Sequence, residues 1–354
     1  MSAIKSSLLY AGLEKSEFHR LMPQARAENQ VKLKTYAMVS FALFLILTIA
    51  NLVVRIFPDS AIISYAIMAV FSAVVYTLAR SLPVQKPSSS TTGLCYVFVG
   101  ALYIFSLINS AMHSEMPAVA AIAIMLMRPF LFTERPLNLI CMNVVTIVLL
   151  CIMSFRFKSR QLALIDLWDS LAFGMISIVA EIAAENLRFR LLSQTDRLKY
   201  ISETDMMTGC KNRNCYQDRL PRFADMCKEH LVCVYIDVNG LHNLNDSQGH
   251  EAGDNMLKAV ARALLDTFDP ENTYRIGGDE FVVARPDAFP EETRQRMAEV
   301  AAVLSKQGYD ISTGIEVGQK ATLDMDALVK QAEVGMYQEK EAYYQQKGHD
   351  RRRQ

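Results

Sequence analysis

The sequence predicts an α-helical transmembrane bundle followed by an α+β domain, on two observations. Long apolar runs crowd into one block, residues 36–185, within a 354-residue chain that is 51% hydrophobic, a high fraction for a wholly soluble protein with room for two domains. From residue 205 onward the pattern changes to short β-branched runs alternating with amphipathic stretches, the mark of mixed α and β structure.

The segment 1–35 is polar and helix-like, carries six basic residues and lacks an early apolar core. No cleavable signal is expected, and the first hydrophobic segment should stay as an anchor. A bilayer span needs about 20 mostly apolar residues. Six such runs follow, at about 36–57, 61–79, 94–112, 116–132, 137–155 and 162–183. The fourth is short and holds Pro117 and Pro129; the sixth carries Asp166 and Asp169, which are read as lying at the interface. Positively charged flanks stay in the cytosol. With both termini inside, the N-terminal six basic residues plus Arg80, Lys86, Arg128 and Arg135 face Arg55, Arg156, Lys158 and Arg160 outside, a balance of ten to four. Neither a transporter-like repeat nor a cluster of buried charges is visible. Trp168 reads as an interfacial anchor.

Along 186–204, Leu187, Leu191, Leu198 and Ile201, with Gln194 in the missing seam position, form a short heptad seam. Such a seam suits a parallel dimer-forming helix that relays the state of the membrane domain. The competing reading is an amphipathic linker packed on its own domain.

Residues 231–238 read as a buried strand, and 239–253, rich in Gly, Asn and Asp, as loop and turn. A helix follows with Leu257, Val260, Ala261, Leu264 and Phe268 on one buried face. The runs 273–276 and 281–284 flank Gly277 and Gly278 as a β-hairpin whose turn would use positive φ. A helix (291–306), a strand (309–316) and a last helix (325–345) complete a sheet covered on one face by helices.

The 37 Lys and Arg balance 37 Asp and Glu, so no global field draws nucleic acid and a partner must be argued from local sites. The seven cysteines contain no CxxC pair and read as free thiols. The histidines share no metal-ligand spacing, which argues against zinc. The chemistry lies instead in carboxylates. Asp237 ends the buried strand, and the hairpin presents Asp279 and Glu280. Three converging carboxylates repel unless a cation accompanies them. Hard oxygen ligands suit magnesium, or manganese, of the kind used in phosphoryl and nucleotidyl transfer. A solvated acidic hairpin tip is the inert alternative.

The residues here carry a more specific likeness. Asp205-Met206-Met207-Thr208-Gly209 with Asn212-Arg213, then Asp237-Val238-Asn239-Gly240, Asn245-Asp246, Gly249-His250 and Gly253-Asp254 come first. Gly277-Gly278-Asp279-Glu280-Phe281 and Met336-Tyr337 with Lys340 follow in order. Over about 204–348 the chain resembles the GGDEF family of diguanylate cyclases. The resemblance implies a palm-like fold related to nucleotide cyclases, and an enzyme that joins two GTP into cyclic di-GMP with release of two pyrophosphates. It implies a homodimer of catalytic domains and a bacterial inner membrane with the catalytic domain cytosolic. Carried over residue by residue, it makes Asp237, the Val238 carbonyl, Asp279 and Glu280 metal ligands, and Asp279 and Glu280 catalytic. Asn245 and Asp254 would read guanine, Gly277 and Gly278 would admit phosphates, and His242 and Lys340 would meet the substrate. An Asn amide and a carboxylate match the acceptors and donors of that base.

Departures stand beside the matches. His242 replaces a common Lys and Tyr344 a common Arg. The family's Arg-x-x-Asp product-inhibition site corresponds to Phe268-Asp269-Pro270-Glu271, so that brake is expected to be absent. The alternative to an active cyclase is a catalytically silent GTP- or cyclic di-GMP-binding signalling module.

Overall fold

The computed structural model describes residues 3–55, 59–82 and 89–346, and the chain divides into two compact units, Met1–Thr195 and Asp196–Gln354. The sequence features at Phe57, Lys86, His349 and the basic tail 349–354 lie outside the described residues.

The first unit contains α1 (Ala3–Tyr10), α2 (Lys15–Val54), α3 (Asp59–Ser81), α4 (Ser89–Met112), α5 (Val119–Met127) and α6 (Pro136–Phe157). The long α7 (Arg160–Glu203) follows and continues past the unit's end. Among the described residues, five helical stretches are long and apolar enough to cross a membrane: Ile4–Val54, Ala61–Ser81, Ser89–Met112, Pro136–Phe157 and Arg160–Glu203. The fourth predicted run yields only the short apolar helix Val119–Phe130. Proline explains the shortfall: Pro117 precedes α5, and Pro129 sits in a closing 3-10 turn, Arg128–Phe130. Val39, Ile46, Ile67, Val148 and Ile176 are each more than half exposed, a surface suited to lipid rather than water.

Buried charge, which the sequence did not reveal, is plentiful here. Arg128 pairs with Glu181, both buried. Glu185 pairs with Arg188 at 2.6 Å and accepts the Glu134 N–H at 3.2 Å. Asp166, read from sequence as interfacial, is fully buried and accepts from the Ala118 N–H (2.8 Å), Ser154 (2.6 Å) and Lys158 (2.8 Å). The Asp166–Ala118 and Arg128–Glu181 partners stand 48 and 53 residues apart on different segments, so no local pattern announces them. Removing one member of such a pair typically costs about 3–5 kcal/mol.

Toward the C-terminus of α7 the heptad positions Leu187, Leu191, Leu198 and Ile201 are 46–67% exposed. Among the described residues they are only partly covered.

The second unit adds α8 (Arg213–Arg219), α9 (Phe223–Met226), β1 (His230–Asn239), α10 (Leu241–Gln248), α11 (His250–Thr267), β2 (Thr273–Arg275), β3 (Glu280–Pro286), α12 (Pro290–Ser305), β4 (Asp310–Gln319) and α13 (Met325–Gln346). The antiparallel sheet runs β2-β3-β1-β4. Both faces are covered, which corrects the single-faced expectation. Val234, Ile236 and Val238 of β1 pack with Met256, Val260 and Leu264 of α11 and with α12. Leu231, Cys233 and Tyr235, pointing the other way by the period-2 alternation of a strand, pack with Leu328, Ala332 and Met336 of α13. The supposed loop 239–253 is a second correction. It forms α10 and the start of α11, because Gly240 (φ 75°) and Gly249 (φ 86°) take the left-handed turns at their boundaries while Leu241 and Leu244 pack on the core.

Candidate functional site

The candidate carboxylates gather at the end of β1. Asp237 pairs across the sheet with Glu280, the first residue of β3, so their side chains share the α13 face. Beyond that pair the Val238 N–H donates to the Asp279 carbonyl at 3.0 Å, fastening the strand to the hairpin turn. Asp237 is 6% exposed and ion-paired with Lys340 of α13. Helix α13 lies close enough for this because Gly314 of β4 faces it: a Cβ there would overlap the Ala332 carbonyl. Glu280 accepts from the Tyr235 hydroxyl at 2.9 Å. Burial pushes the Asp237 carboxyl above its usual range; Lys340 pulls it down, and the charges of Asp279 and Glu280 push it further up. Three acids and one ammonium thus share one electrostatic site.

The hairpin turn is closed by the Ile276 N–H donating to the Glu280 carbonyl at 3.0 Å. Neither Gly277 nor Gly278 takes positive φ, against expectation. Space is the reason for glycine at the first: a Cβ on Gly277 would run into the Glu280 side chain, whereas Gly278 faces open space. Arg275 holds the turn from below, donating to the Gly278 carbonyl (2.6 Å) and to Asp205 (3.1 Å), two residues past α7. Burial works against ionisation of Asp205, but hydrogen bonds from Thr208 and the Arg275 charge bring its carboxyl below the usual range.

Asn245 and Asp254 sit on α10 and α11. The Asn245 Oδ1 is buried with no hydrogen-bond partner, and a Cβ on Gly253 would collide with that side chain. Asp254 and His242 are exposed, and His242 lies 3.4 Å from Asp246. Among the described residues, no hydrogen bond or ion pair joins Asn245, Asp254 or His242 to the carboxylates. At the position of the inhibitory stretch, Phe268 is buried in the core and Glu271 is held by Lys211 (3.0 Å) and Arg219 (2.7 Å).

Sequence reasoning missed Tyr235 and Arg275. Strand periodicity reaches the first, two residues before Asp237. Nothing local reaches the second, whose partner Asp205 is 70 residues away.

Among the described residues no three His, Cys, Asp or Glu side chains stand together closely enough to hold a metal ion. Asp237 is engaged by Lys340, and Glu280 by Tyr235. The donor chemistry nevertheless fits a hard cation: Asp237, Asp279, Glu280 and the Val238 carbonyl offer only oxygen.

Fold and site together define an α+β domain that gathers acids at the end of its central strand. Residues 202–346 match the family described as diguanylate cyclase, GGDEF domain, and the chain carries a GGDEF domain there. It is 32% identical over 168 residues to the cyclic di-GMP phosphodiesterase PdeB of Shewanella oneidensis, covering 44% of this chain. The chain spans only about a fifth of that relative's length (20%). A Staphylococcus aureus protein, named an uncharacterized membrane protein, is 26% identical over 271 residues, 75% of this chain and 72% of that one. The coiled coil and GGDEF domain of DgcB from Caulobacter crescentus, solved with c-di-GMP, is 18% identical with a TM-score of 0.42, covering 49% of this chain and 96% of that one. The GGDEF domain supports a part in cyclic di-GMP signalling. The five apolar helices and the S. aureus relative point to a membrane location.

Proposed function

We propose that the chain is a membrane-anchored diguanylate cyclase: two GTP become one cyclic di-GMP and two pyrophosphates, in a cytosolic domain whose output the membrane unit controls. The observation that carries this is the gathering of Asp237, Asp279, Glu280 and Lys340 at one strand end. Asp237, the Val238 carbonyl, Asp279 and Glu280 would hold a magnesium or manganese ion. Such an ion supplies charge neutralisation and polarises phosphate oxygens. Asp279 takes the proton from the ribose 3′-hydroxyl, and Glu280, oriented by Tyr235, adds negative charge beside it. Lys340 exchanges Asp237 for the triphosphate as a point charge. Gly277 and Gly278 leave room for phosphates, and the Asn245 amide would read guanine together with Asp254, one residue beyond Gly253. His242, exposed on α10, lies at the substrate's edge. Each half-site holds one GTP, so ring closure needs a homodimer, for which the exposed seam of α7 is suited. No nucleic-acid partner is called for.

The test is Asp279→Asn in the full chain. An active cyclase loses at least about 100-fold in turnover while still binding GTP. A catalytically silent binding module would show no turnover to lose and the same GTP affinity in both forms.

A further inference from the structure

The first unit contains two cavities of about 410 Å³ each that share Tyr65, Asn109, Ala120 and Ala123 in their walls. Each falls in the ~300–1,000 Å³ range of small-molecule sites. The first is an apolar limb between α2, α4 and α5, with Leu43, Phe44, Leu47, Phe98, Leu102 and Phe105. Away from the shared wall its polar groups are engaged: the Tyr36 hydroxyl reaches the Phe130 carbonyl (3.3 Å) and Ser40 bonds Ser72 (2.9 Å). The second cavity differs. Ser110 lines it, is 5% exposed, and its Oγ has no hydrogen-bond partner; the Asn109 Oδ1 is likewise buried and unpartnered. His113, whose Nδ1 lies 2.9 Å from the Asn109 carbonyl, completes that end. Buried polar groups without partners are rare and costly. Among the described residues, no Asp, Glu, Lys or Arg lines either cavity.

From this we infer that the paired cavities form a binding site for an uncharged amphiphile. Its hydrocarbon part occupies the limb between α2 and α4, and its O–H or N–H head is held by the Asn109 Oδ1 and Ser110 Oγ. The absence of a lining charge selects against carboxylates and amines, since a buried ion needs a partner. The lone acceptor of Asn109 requires a head that donates. Two sources supply such chemistry: a free alcohol or amide, or a neutral glyceride of the bilayer. The proposal concerns the membrane unit and stands apart from the cyclase reading.

The experiment uses the full chain in phosphatidylcholine nanodiscs and a diazirine-bearing 1-dodecanol, with labelled peptides mapped by mass spectrometry. Saturable labelling within residues 109–123 is expected, competed by 1-decanol and at least about tenfold less by decane or decanoate. Ser110→Ala should weaken it about tenfold, the worth of one buried hydrogen bond. Ala123→Phe adds a ring at an exposed wall position shared by both cavities and should abolish it. Competition by dioleoylglycerol assigns the ligand to the bilayer and insensitivity to it assigns a free amphiphile; both uphold the site. Labelling that does not saturate, that decane competes equally, or that survives both substitutions overturns it.

Discussion

Lys340→Met isolates the charge balance at the end of β1. Asp237 and Lys340 are 8% and 14% exposed at their side chains, so the pair counts as buried, and removing one partner leaves an uncompensated carboxylate beside Asp279 and Glu280. Such losses run at about 3–5 kcal/mol. The figure has a ceiling here, because Asp237, already raised by burial, can take a proton at about 1.4 kcal/mol per pKa unit. A loss near 3 kcal/mol is expected, or about 6–12 °C in the melting of a unit of this size. Calorimetry of the full chain without divalent ions measures it. Asp237→Asn combined with Lys340→Met should lose clearly less than Lys340→Met alone, and magnesium should recover more melting temperature in the Lys340→Met protein than in the parent. A loss below about 1 kcal/mol, or equal losses in the single and double variants, would refute the coupling.

Asn245→Leu should raise the KM for GTP about 10–100-fold and narrow the preference over ATP, measured by competition kinetics, because it removes the amide proposed to read the base. Asp205 titrates below the usual carboxylate range, so its stabilisation is present above the unfolded pKa and disappears as pH falls through the lower folded value; Asp205→Asn should flatten that acid limb in pH-dependent melting. Leu191→Glu with Leu198→Glu places like charges on the exposed seam of α7, and should shift the chain toward monomer in analytical ultracentrifugation and reduce product formation at least about tenfold. Cyclic di-GMP added at micromolar concentration should leave the initial rate unchanged, since Phe268 is buried and Glu271 is held by Lys211 and Arg219.

Short-range physics made much of this legible. The 3.6-residue period of Leu257, Val260, Ala261 and Leu264 gives α11, and β-branched content gives β1 within one residue of each of its ends. Polar composition misled at 239–253, where Gly240 and Gly249 cap helices rather than mark a loop. The glycines of the signature were read for φ, whereas Gly277 is there for lack of a side chain beside Glu280. The acids were visible because their residue types sit in a motif. Lys340 needed the fold to bring it across 103 residues to Asp237, and the buried pairs of the first unit, Arg128–Glu181 and Lys158–Asp166, needed it entirely.

The most direct measurement is product identification. The reconstituted full chain, given GTP and magnesium, should form cyclic di-GMP and pyrophosphate in a ratio of one to two, and Asp279→Asn should form neither. GTP bound but unconverted, at concentrations where the parent chain is dimeric, would contradict the account.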